Sequence, residues 1–342
     1  HGIGRRQRQM CIRDRSTTLA ATFLTADTDH ALAAIRDFLH GGEVPRGALR
    51  GWRSAPRPPW DTPQRALSVL VSRVMLDPRD PRRQAAPAPP RRLSRLQKSR
   101  AALVSITDRI IGFTGDISVR QARESAAALL PPPSPTPPAG LAPVAPSVPD
   151  PAGGLRTDWM PGGGPGGVVL TRPGLSQDDP DHPALLIALH ALAGGLRSRL
   201  LVGLRHEAGL IYSLSAEDGV GPIPGLMTVH IPTRASRLAQ TSARTAEILQ
   251  VFASDGITDA ERRTALRSLQ HHAAPETPEE ALLHAMEAVR HGWSLDHRQD
   301  TVQAAMALSL DEINAFIAAF FDPDAVTRLR LLPSPGLSSP PN

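Results

Sequence analysis

The chain has 342 residues, enough for two domains that each bury a core, and 41% are hydrophobic, with no apolar run as long as a membrane span. Its formal charge of +5 rests almost wholly on arginine, Lys98 being the only lysine. No basic stripe with interleaved aromatics accompanies it, so nothing supports nucleic-acid binding. The charge is lopsided, with 23 basic against 12 acidic residues in 1–150 and 15 against 21 in 151–342.

Residues 1–15 hold five arginines and neither apolar periodicity, an h-region nor a cleavage site. Residues 9–14 (QMCIRD) read like the translation of a transposon-end sequencing adapter, so 1–15 is set aside as an adapter-derived scar. Cys11, the only cysteine, goes with it and leaves no thiol chemistry to argue from. The genuine chain is then expected to begin near Ser16, in mid-domain.

Residues 17–25 predict a β-branched strand, and 27–40 a helix with Leu32, Ile35, Phe38 and Leu39 on one face. Helical periodicity returns over 62–75, after a Gly/Pro/Arg-rich stretch. Residues 110–114 (IIGFT) predict a buried strand, and 119–130 a helix with Ser118 and Gln121 as its capping box. Prolines crowd 131–154, which reads as a semi-rigid linker. Beyond it, strands are predicted over 167–171, 210–215, 226–232 and 325–332. Helices are predicted over 183–193, 198–206, 235–254, 259–272, 277–291 and from the Ser309–Glu312 box onward. The fold class expected is α+β, not a doubly wound sheet. The domains are 16–130 and 155–335, with a tail at 336–342.

Residues 193–215 read AGGLRSRLLVGLRHEAGLIYSLS. Within them stand Gly194-Gly195, Ser198-Arg199-Leu200, Leu204-Arg205 and Gly209-Leu210-Ile211-Tyr212-Ser213. That order resembles the C-terminal domain signature of insulinase/pitrilysin-type zinc metallopeptidases, in the mitochondrial-processing-peptidase-like group. Gly256-Ile257-Thr258 with Glu261, Leu308-Ser309 with Glu312-Ile313, and Phe113-Thr114-Gly115-Asp116 continue the likeness. The resemblance implies two homologous domains, each a mainly antiparallel sheet packed against helices, the first one incomplete through N-terminal truncation.

Arg205 and Tyr212 lie seven residues apart across a turn, Tyr212 in the predicted strand. A guanidinium and a phenol can together donate to a peptide carbonyl and to the oxyanion of a tetrahedral intermediate. The bland alternative is a structural arginine at a helix C-terminus beside an amphipathic tyrosine. The resemblance implies the first role, as the pair that orients substrate opposite the metal.

The family's zinc motif, H-x-x-E-H, occurs nowhere in the chain, and no glutamate stands between Glu43 and Glu124, where the third ligand should fall. His284, Glu287 and His291 share one helical face, but Ala288 stands where the inverted motif needs a histidine. No metal or other cofactor is therefore expected in this chain, and zinc is expected in a partner. The resemblance implies a non-catalytic subunit, inactive as a peptidase alone, that pairs as a heterodimer with a zinc-bearing homologue around a peptide substrate. Two alternatives stand beside it. One is a structural or assembly protein of the same fold; the other is an active zinc peptidase whose motif was lost by truncation. Relatives of this kind favour the periplasm over the cytoplasm.

Overall fold

The computed structural model describes residues 8–13, 16–40, 109–129, 154–160, 166–219 apart from 177, and 225–333. Short pieces at 47, 50, 71–72, 74–76, 92–94 and 97–98 are described as well. In chain order the elements begin with strands β1 (Arg8–Arg13) and β2 (Ser16–Ala21), then helices α1 (Thr28–His40) and α2 (Val119–Leu129). Strands β3 (Gly154–Met160) and β4 (Gly167–Pro173) precede helix α3 (His182–Ala193) and the short α4 (Arg199–Leu201), which runs on as a π-turn over Val202–Glu207. Strands β5 (Ser215–Glu217) and β6 (Leu226–Pro232) follow. Helices α5 (Leu238–Asp255), α6 (Asp259–Ala273), α7 (Pro278–His291), α8 (His297–Ala307) and α9 (Leu310–Phe320) lead to strand β7 (Thr327–Pro333).

These elements form two compact units, one drawn from 1–56, 87–143 and 275–293, the other from 57–86, 144–274 and 294–342. In the first, β1 and β2 pair antiparallel from Arg8↔Ala21 to Arg13↔Ser16, so residues set aside in the sequence reading form a ladder. Helix α2 starts from the expected box: Ser118 Oγ accepts from the Gln121 N–H, and the Gln121 side chain accepts from the Ser118 N–H at 3.0 Å. Residues 110–114, expected as a strand, are extended without a ladder. Gly112 instead presses on α7, where an added Cβ would stand 2.5 Å from Leu282 Cδ1. A helix offers side chains and no backbone partner, so the segment stays unpaired.

The second unit is an α+β domain around a five-stranded sheet of order β3-β7-β4-β6-β5, antiparallel throughout except for the parallel pair β3–β7. Strand β3 falls at the start of the expected second domain, where no element was predicted, because a single amphipathic stretch between proline and glycine runs shows no strand until β7 offers it an edge. Val168, Leu170, Met227, Val229 and Ile231 turn one face of the sheet to the helices. Helix α3 is buried on nearly every side, which explains an apolar sequence without a polar stripe. The opposite face presents Val169, Leu329 and Leu331, covered by Val71 and Met75. Strand β4 is thus buried on both faces, as its unbroken GVVLT run suits. Helix α8 was not anticipated; it buries only Val302 and Ala305, too few apolar positions to show a period.

The predicted helices at 259–272 and 277–291 match α6 and α7 closely, each opened by a complete capping box, Thr258 with Glu261 and Thr277 with Glu280. The Ser309–Glu312 box opens α9 in the same way. Residues 210–215, expected as a strand, are irregular until β5 starts at Ser215. Residues 62–70 and nearly all of the proline-rich 131–154 lie outside the described residues.

Candidate functional site

The Gly194-Gly195 turn releases the chain from α3, and Ser198 steadies it by donating its hydroxyl to the Gly195 carbonyl at 2.8 Å. Arg199 then makes a two-pronged ion pair with Glu261 at the start of α6, Nε to Oε1 at 2.7 Å and Nη2 to Oε2 at 2.9 Å. Its guanidinium also lies 5.4 Å from the centre of the Phe252 ring. In the motif Ser198-Arg199-Leu200 the arginine is therefore structural, and Leu200 is fully buried.

From Val202 the helix widens into a π-turn. Gly203 lets α5 approach, since a Cβ there would stand 2.6 Å from Ile248 Cδ1. The turn ends with a nested pair of backbone bonds, Gly209 N–H to Arg205 O at 3.2 Å and Leu210 N–H to Leu204 O at 2.8 Å. This is the glycine-ended helix closure widened by one residue, as i→i+5 winding requires, with Gly209 at φ +60°. Single π-turns of this kind occur often at functional sites. Arg205 stands in this turn, half-buried.

Leu210 and Ile211 sink into the core, and Tyr212 emerges next to them, 82% exposed. The Arg205 guanidinium carbon lies 5.1 Å from the centre of the Tyr212 ring, in a cation–π contact. The two residues singled out in the sequence are thus brought together. Tyr212 sits in an irregular bend and not in the expected strand. The backbone of Gly209 and Leu210 bonds to the π-turn and to side chains from farther along the chain, so no ladder can form there.

Three residues at this site carried no sequence signal. The Thr233 hydroxyl donates to the Leu210 carbonyl at 3.0 Å, Arg237 donates to the Gly209 carbonyl, and Thr241 lies 3.2 Å from Thr233, oxygen to oxygen. They come from the end of β6 and the start of α5, more than twenty residues downstream. Around the turn, Arg244 bridges Glu207 at 3.1 Å and Glu247 at 3.0 Å.

His284, Glu287 and His291 share α7 without converging; His291 stacks on Trp293 with centroids 4.3 Å apart. Among the described residues no three His, Cys, Asp or Glu side chains come together as metal ligands, so those residues do not fit a zinc ion.

A family model described as the peptidase M16 inactive domain matches residues 111–269. An uncharacterized zinc protease of Mycobacterium leprae is 37% identical over 91 residues, 26% of this chain and 20% of that protein. The match thus spans about a fifth of the relative's length. A peptidase M16 inactive domain from Pseudomonas fluorescens shares the fold at a TM-score of 0.69 and 18% identity, covering 91% of this chain and 76% of that one. A chain of Complex III from Candida albicans does so at 0.68 and 12% identity, covering 96% and 81%. The domain matched over residues 111–269, the shared fold and the ordered motif from Gly194 to Tyr212 together support an insulinase-like family member.

Proposed function

We propose that the chain is the non-catalytic, substrate-binding subunit of a two-chain peptidase, presenting Arg205 and Tyr212 to a peptide held at a zinc-bearing homologous partner. The observation that carries this reading is the Arg205–Tyr212 contact, a guanidinium carbon 5.1 Å from the ring centre of a phenol that itself stands 82% exposed. The contact leaves the guanidinium edge and the phenolic O–H as donors. Together they can bind a peptide carbonyl or carboxylate and meet the negative charge that grows on the carbonyl oxygen during attack. The partner's metal would supply the activated water. The lack of any glutamate between Glu43 and Glu124 and of a ligand trio among the described residues supports placing that metal in the partner.

Co-expression with a zinc-bearing homologue tests this. The chain alone is expected to cleave no peptide and to hold no stoichiometric zinc by metal analysis, whereas the pair is active. Tyr212→Phe in the pair should lower kcat about a hundredfold, the scale of one lost oxyanion donor, with melting unchanged. Unchanged kinetics would favour an assembly protein of the same fold, and one tight zinc per chain would overturn the proposal.

A further inference from the structure

Tyr212 poses a physical problem. A side chain 82% exposed, in a bend outside any ladder, has little packing to hold its ring against Arg205. The two preceding residues resolve it. Gly209 and Leu210 each have one backbone N–H and one carbonyl, and all four groups are engaged. The N–H groups close the π-turn onto Arg205 O and Leu204 O. The Gly209 carbonyl accepts from Arg237, and the Leu210 carbonyl accepts from Thr233 at 3.0 Å. The side chains of Leu210 and Ile211 are meanwhile sealed in the core.

Hydroxyl counting gives this grip a direction. Thr233 and Thr241 own one hydrogen each, yet three contacts are within reach: Thr233 to Leu210 O, Thr241 to Arg237 O at 2.9 Å, and the 3.2 Å contact between the two hydroxyls. With Thr241 donating to the Arg237 carbonyl and Thr233 to the Leu210 carbonyl, each hydrogen has a backbone acceptor, and the 3.2 Å contact sets the two hydroxyls side by side between α5 and the loop. Both hydroxyls are buried, Thr241 fully. A hydrogen bond formed away from water is directional and strong, and its loss leaves a buried carbonyl unpaired.

We infer that Thr233, backed by Thr241, and Arg237 are positioning residues: they clamp the carbonyls of Leu210 and Gly209 and thereby set Tyr212 against Arg205. None of the three touches either side chain through its own polar group; each acts through the backbone. The inference deepens the proposed function and rests on that reading for its catalytic meaning, though the clamp can be measured without it.

Tyr212 is the only tyrosine in the chain, so ¹³C-tyrosine labelling gives one ring spin system to watch in the chain alone. The wild type should show a ring contact to the Arg205 side chain in nuclear Overhauser spectra. Thr233→Val is expected to shift the Tyr212 ring signals and abolish that contact, while Thr233→Ser restores both. Arg237→Gln, at an exposed position that does not endanger folding, should shift the ring signals as well. Ile317→Val, a core truncation elsewhere in the same unit, should leave them in place. The clamp is overturned if Thr233→Val and Arg237→Gln leave the ring unmoved, if Thr233→Ser moves it as far as valine does, or if Ile317→Val moves it equally. A clamp that passes while Tyr212→Phe leaves peptide cleavage by the pair unchanged would refute the proposed function and leave the positioning intact.

Discussion

Glu261 serves two structures with one carboxylate. It closes the capping box of α6, where Oε2 accepts from the Thr258 N–H at 2.8 Å and its hydroxyl at 2.9 Å, and it receives both prongs of Arg199. Burial alone would push this carboxyl up, but the bonds from Arg199 and Thr258 outweigh it and hold it at about 2. His230 lies at the other extreme. Buried to 1% exposure on β6, it is pushed down to about 4 by burial and stays neutral in the folded chain. Both depressions act in the same direction: each group adds stability above its ordinary value, and acid removes it. For His230 the loss runs from about 6.5 down through 4, and for Glu261 from about 4.5 down through 2. Thermal melts across this range should therefore fall in two overlapping stages. His230→Gln should flatten the stage between pH 6.5 and 4. Glu261→Gln should flatten the lower stage and cost on the order of 2 kcal/mol at neutral pH. An identical pH slope in wild type and variant would refute the assignment of that stage.

At the scale of elements, the turns decide where helices stop. Helix α5 ends at Gly256, φ +65°, and the next residue is held from both sides. The Ile257 N–H donates to Asn314 Oδ1 at 2.7 Å, and Asn314 Nδ2 donates to the Ile257 carbonyl at 3.2 Å. A Cβ on Gly256 would run into the Asn314 side chain, whereas at Gly209, φ +60°, nothing lies within 4 Å of the added atom. At Gly256, with ψ −156°, a backbone open almost only to glycine and a steric conflict act together, whereas at Gly209 only the positive φ opposes a side chain. Gly209→Ala should cost about 1 kcal/mol for its left-handed backbone alone. Gly256→Ala should cost about 2–4 kcal/mol, since it adds the loss of the asparagine clamp. Equal unfolding midpoints for the two alanine variants would contradict this. The resemblance to Gly-Ile-Thr before a long helix thus has a packing cause, a tight stop for α5 followed by a fully capped start for α6.

On the scale of the whole molecule, the sheet of the second unit is covered on both faces, and one cover comes from far upstream. Val71 and Met75, 2% and 0% exposed, pack on Val169, Leu329 and Leu331. Beside them the register aligns Thr228, Thr171 and Thr327 across β6, β4 and β7, all buried. The compact unit accordingly gathers 57–86 with residues that follow 144. Met75→Ala should destabilise this unit by about 2–4 kcal/mol and speed amide exchange along β7. Unchanged exchange in β7 would show that the upstream cover adds nothing.

Several features were legible from residues alone because their causes are local. Capping boxes at Ser118, Thr258 and Ser309 need only a side chain and the next turn of helix. The alternation in β6 likewise needs no distant partner, and the motif from Gly194 to Tyr212 stands out by its order alone. What tertiary structure alone decided depends on groups far apart in the chain. Residues 110–114 and 210–215 look like strands, but a strand exists only where another backbone offers a ladder. The first meets a helix, and the second is gripped by Thr233 and Arg237. Strand β3 became visible only beside β7, and the role of Arg199 only beside Glu261, 62 residues away. Local bonding repeats with a period that a sequence displays; long-range pairing leaves no such period, so the packed chain alone settles it.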